Sequence, residues 1–166
     1  GLILFENMMG IYFSGRDLAD EVMAELDPRI RLVVAGQEYD PERGVPETRV
    51  PAFALVLRMR HPEEFSPVVE EAWQKVVGMV NFTRGQKAQG GLVMDRFDHA
   101  GVRFTCAAFS AAGEKDKARL DTRFNFSPSI ARFGEHLVLS SEETLTRNLI
   151  DALKAENLSI CFGSIF

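Results

Sequence analysis

The chain has 166 residues, 46% of them hydrophobic and 26% charged, the composition of one globular domain large enough to bury a core. Nineteen basic and 24 acidic residues give a net charge of −5, with no run of one sign, which argues against nucleic acid as the partner. Two cysteines, Cys106 and Cys161, with no short spacing between them, indicate neither a metal framework nor a disulfide scaffold.

Leu2, Phe5, Met8, Met9 and Tyr12 fall on one helical face, and Ser14-Gly15 ends that helix. The segment GLILFENMMGIYF is apolar but short and interrupted by Glu6, Asn7 and Gly10, so it cannot span a bilayer. The chain does not begin with Met, and we expect it to be a piece of a longer protein. A second helix is predicted over about Asp17 to Leu26, closed by Asp27-Pro28. Arg29 to Tyr39 reads as a strand through Ile30, Leu32, Val33 and Val34. The loop DPERGVPETRV then returns the chain to a second strand, and the two are expected to be antiparallel neighbours.

That second strand, Ala52 to Arg60, and the helix after it organise the rest. Phe53, Leu55, Leu57 and Met59 alternate onto one face, predicted to pack on a core. Ala54, Val56, Arg58 and Arg60 occupy the other, which is dry at its start and wet at its end. The helix carries Phe65, Val68, Val69, Ala72, Trp73, Val76, Val77 and Val80 at i, i+3, i+4 spacings, with Trp73 as anchor. It can start at Pro62, with Glu63 and Glu64 at the positive end of its dipole, or at Pro67 with Ser66 as N-cap.

Beyond the loop TRGQKAQGG, Leu92 to Phe97 and Val102 to Phe109 form a hairpin around DHAG. The charged stretch Ala111 to Asp121 is the expected mobile loop. TRFNFSPSIARF resumes extended structure, Gly134-Glu135-His136 turns into Leu137 to Ser140, and a last helix follows. Ser140 and Glu143 have capping-box spacing there, and Leu145, Leu149, Ile150 and Leu153 form its buried stripe. The order predicts an α+β fold, an antiparallel sheet with helices packed on one face, of the ferredoxin-like, split β-α-β type. Residues 1–50 would be N-terminal helices and strand, which either end a preceding similar half or supply the missing strand; 51–156 the ferredoxin-like unit; and 157–166 an apolar tail or added edge strand.

The runs GRDLADEV, RLVVAGQEYDPERG, VPAFALVLRMRHPEEF and FNFSPSIARFGEHLVLSS resemble an uncharacterised domain family of bacterial, chiefly planctomycete, proteins. The resemblance implies longer, exported or envelope-associated proteins in which such halves can be repeated. It carries over no site residue.

The chemistry-bearing candidates are few. Asp95, Asp98 and His99 form a D-x-x-D-H cluster that could hold a divalent metal or seat a general base. Asp-His-Ala-Gly is equally what a tight turn requires. His61 and His136 lie at element ends and read as solvated. Cys106, in an apolar strand, reads as core filler, and no G-x-S-x-G elbow is present. Gly85, Gly90 and Gly91, with Arg84 and Lys87, could bind an anion through backbone amides but lack P-loop or dinucleotide spacing. Arg58, Arg60, Arg103 and Arg123 could share a sheet face beside Phe109 or Phe124 and stack on single-stranded nucleic acid. Asn81-Phe82-Thr83 matches a glycosylation sequon by letter only. No catalytic residue and no cofactor is implied. The expected role is a non-catalytic structural or protein-interaction module that meets a partner, self or flanking domain, through its apolar ends, Leu2 to Phe13 and Ile160 to Phe166. The alternative is a small-ligand- or metal-binding domain, or an enzyme, with its site near Asp95, Asp98 and His99.

Overall fold

Alternation gives β2 (Ala52–Arg58) one face of small side chains and one of large, and each face receives its own helix. The computed structural model describes residues 2–42 and 44–163. β1 (Arg31–Ala35), β2, β3 (Leu92–His99), β4 (Val102–Phe109), β5 (Ser129–Phe133) and β6 (His136–Ser140) make one antiparallel sheet. Their order is β1-β2-β6-β5-β4-β3. β3 to β6 run as a meander back to β2, so β2 and β3 point the same way with three strands between them. The expected antiparallel pairing of β1 with β2 is present, with Leu32 opposite Leu55 and Val34 opposite Phe53.

The helices α2 (Pro62–Gly85) and α3 (Glu143–Gly163) lie on opposite faces, not on one face as the ferredoxin-like expectation required. Phe65 and Val69 of α2 pack with Leu57, Met59, Leu137 and Ile130. Ile150 and Leu153 of α3 pack with Val56, Val138, Ala131, Phe104 and Cys106. These two sets belong to opposite sides of the pleat. Ala52, Ala54, Ser129 and Ala131 lie fully buried on the α3 side, where short side chains let the helix approach closely. Ser129 and Thr146 exchange a 2.6 Å hydrogen bond in that buried contact.

α2 starts at Pro62, and Pro67 sits inside it at the cost of one helix bond; Ser66 is buried and is not the N-cap. Its predicted stripe divides. Phe65, Val69, Ala72 and Val77 are buried and Trp73 packs against the core, while Val76 and Val80 face water. The helix crosses the sheet obliquely, from Leu57 and Met59 on β2 to the start of β3. There the Asn81 side chain bonds the Leu92 N–H and C=O at 2.6 and 2.9 Å. A Cβ on Gly91 would meet Asn81 Oδ1 at 2.6 Å, so this end of the glycine-bearing loop is a clamp.

The N-terminal α1 (Leu2–Tyr12) ends at Ser14 and Gly15, both at positive φ, and Ser14 bonds Glu71 and Lys75 of α2. The second predicted helix is reduced to two short turns over Leu18–Val22 and Met23–Glu25, capped by Asp17. The β3–β4 turn is Ala100-Gly101, both at positive φ, so Asp98 and His99 belong to the strand. Leu120, at the end of the predicted mobile loop, is buried, and its N–H and C=O bond Val45 and Glu47. The expected Ser140–Glu143 capping box does not form. The Glu142 carboxylate accepts from Thr144 and Leu145 N–H, and Ser127 Oγ accepts from Glu143 N–H. α3 continues to Gly163, so the terminal segment extends a helix where a tail or edge strand was expected. The apolar end from Ile160 to Phe166 otherwise lies outside the described residues.

Candidate interaction face

Because α2 crosses obliquely, it leaves one corner of its face open. There Leu32 and Val34 of β1 and Phe53 and Leu55 of β2 stand side by side, 67%, 61%, 49% and 37% exposed. Leu139, opposite Leu55 on β6, continues the row, and Phe126 and Pro128 wall it off, enclosing a shallow groove of about 540 Å³. Among the described residues no charged side chain lines it. Phe53 and Leu55 were expected in the core. They alternate correctly, but the helix covers only Leu57 and Met59, at the other end of the same strand. A contiguous apolar patch of this kind marks a surface that proteins use for contact.

The wall is held by a buried side chain that sequence reading passed over. Asn125, fully buried, accepts from Tyr39 Oη at 2.6 Å and from Val50 N–H at 3.1 Å. It donates to the carbonyls of Thr48 and Thr122 at 2.8 Å each. All its capacity is used within the protein, which ties the β1–β2 loop to the turn before β5. Burial pushes the Tyr39 hydroxyl pKa up. A lone Asn in FNF carries no signal of this; Thr122 is local, but Tyr39, Thr48 and Val50 all come from the distant β1–β2 loop.

The chemical candidates separate. His99 turns to α3, with Nε2 2.9 Å from both Asp151 oxygens. Asp98 lies on the other side of the strand and accepts from Gly101 N–H, as a turn residue does. Asp95 shares His99's side but lies four residues away, about 13 Å along a strand. Among the described residues no group of three or more His, Cys, Asp or Glu could hold a metal. Burial pushes the Cys106 thiol up to about 12, so it is a packing group and not a nucleophile. His61 faces Glu25 at 2.8 Å at the start of α2, whereas His136, expected to be solvated, lies in β6 and partly buried.

The arginines do not form a shared face. Arg58 points to the α3 side with Glu135, Arg103 is opposite Asp98, and Arg123 stacks on Phe109 and Phe124 from a short turn. Arg84 also covers Phe109 and bonds the Gly90 carbonyl, so these aromatic faces are already in use. Of the apolar ends, α1 exposes Ile3, Leu4, Phe5, Met8 and Ile11. Among the described residues no helix is long and apolar enough to cross a membrane. No family model, no curated protein and no solved structure matches this chain.

Proposed function

We propose that this domain is a non-catalytic protein-interaction module of a larger bacterial protein. It docks an apolar partner surface on the open corner of the sheet. The observation that carries this is the row Leu32, Val34, Phe53 and Leu55, exposed together on two paired strands with no charge among them. The resemblance to a bacterial domain family in which such halves repeat supports a neighbouring copy as the natural occupant. Sedimentation velocity over a concentration series tests it. The wild-type chain should self-associate, and a Leu32→Asp/Phe53→Asp pair should remain monomeric with its melting temperature little changed. A wild type that stays monomeric at high concentration, and gives no fluorescence with a hydrophobic dye that the double variant abolishes, would sink the reading.

A further inference from the structure

On the α3 side, away from the apolar corner, a second groove of about 510 Å³ runs between the sheet and Glu156 and Asn157 of α3. Val56 is its floor. Strand register builds its walls: Arg31 is opposite Val56 across β1–β2, and Arg58 is opposite His136 across β2–β6. Arg58 is therefore flanked by His136 and Arg31 on one side of the pleat, while Arg31 and His136 stand two strands apart. Directly opposed pairs sit about 5 Å apart and diagonal ones about 7–8 Å, well within the reach of an arginine. Arg29 stands beside them at the approach to β1.

Each guanidinium holds one carboxylate. Arg29 binds Asp27 through two bonds of 2.9 and 3.0 Å and holds its carboxyl well below the usual carboxylate range. Arg58 donates from Nε to Glu135 at 2.7 Å, and Arg31 Nη1 reaches both Glu156 oxygens at 3.0 Å. A guanidinium has five N–H donors, so each of these contacts leaves donors over. The charges balance in number but not in space. At the His136 ring, burial first and then Arg31 and Arg58 push the pKa down, outweighing the opposing pull of Glu156 and Glu135. At that ring the two guanidiniums outweigh the two carboxylates.

We propose that the groove binds a phosphate dianion, seated between Arg31, Arg58 and His136. A carboxylate from solution would only replace Glu135 or Glu156, which are tethered and so locally concentrated. A dianion can engage two guanidiniums at once through paired donors, and the His136 ring offers it a third N–H donor, charged once the dianion raises its pKa. Glu135 and Glu156 are about half exposed, at 52% and 50%, and pairs of that kind hold their partners weakly enough to yield. The shared chemistry admits two sources, the free ion and a phosphate monoester.

The experiment follows the ring signals of His136 by NMR in the full chain, titrated with inorganic phosphate at constant ionic strength. Chloride is the control, because screening of Arg31 and Arg58 alone would also raise the pKa. A saturable shift is expected, with the His136 pKa raised by about 0.5 unit or more. Methyl phosphate binding more tightly than inorganic phosphate assigns the site to an ester; weaker binding assigns it to the free ion. Arg31→Met and Arg58→Met should each weaken binding about tenfold, the loss of a charged hydrogen-bonding partner. Melting temperatures show that the variants are folded, and the wild-type titration stands without them. The proposal is overturned if chloride reproduces the shift, if His136 is unmoved by tens of millimolar phosphate, or if the folded double variant binds undiminished.

Discussion

The two faces of this sheet are built to opposite rules. Under α3 the strands β2, β5 and β6 present Ala52, Ala54, Ser129, Ala131 and Val138, small and wholly buried, with Phe104 of β4 filling the space beside them, so the helix lies close to those three strands. On the other face the side chains are large, and α2 covers only those at one end. Small residues under a helix serve a permanent contact, because nothing else could fill the gap if the helix left. Large residues without a helix keep their surface available. The two faces thus separate the work of holding the fold from the work of meeting a partner.

That contrast can be broken in several ways. The largest effect should come from Ile150→Ala, at the centre of the α3 contact, with a loss of about 4 kcal/mol in urea denaturation. Asn125→Ala would strand the Val50 N–H, take a donor from the Thr48 and Thr122 carbonyls and leave Tyr39 Oη only its 3.3 Å bond to the Val50 carbonyl, at a cost of about 3 kcal/mol. It should also loosen the groove wall, seen as faster proteolysis around Pro128. Trp73→Ala should cost about 2 kcal/mol, below a fully buried aromatic, because Trp73 is only partly covered on the half-open face. Ala100→Gly relieves a non-glycine residue held at φ 52°, and should add about 1 kcal/mol, a rise of about 2–4 °C in melting temperature. Smallest of all, Leu32→Thr should change stability by no more than about 0.5 kcal/mol. A loss from Leu32→Thr as large as that from Ile150→Ala would mean that the open corner is part of the core, and the contrast would be gone.

Much of this architecture could be read from local pattern. β2, α2, the β3–β4 hairpin and the buried stripe of α3 follow from periods of two and 3.6 residues, which neighbouring residues impose on one another. The assignment of faces could not be read that way. Alternation says that Phe53, Leu55, Leu57 and Met59 share a side, but where α2 lands along that side depends on a crossover that passes three intervening strands. The cap of α3 was misread for a similar reason. Ser140 and Glu143 have the right spacing, yet Ser127, from a distant loop, takes the Glu143 N–H. Neither groove was legible. Arg31, Arg58 and His136 come from three separate segments, and only strand register brings them together. Asp95, Asp98 and His99, close in sequence, are parted by the pleat.

The strand order also sets a sequence of events in time. β3, β4, β5 and β6 pair each with its neighbour in the chain, so most of the sheet can assemble from local contacts. The pairing of Leu55 with Leu139 must close a loop holding all of α2 and that meander, the slow kind of step. β1 and β2, the strands that carry the exposed apolar row, therefore join last in folding. On partial opening they are the first to leave, and hydrogen exchange should report their amides as the least protected in the sheet.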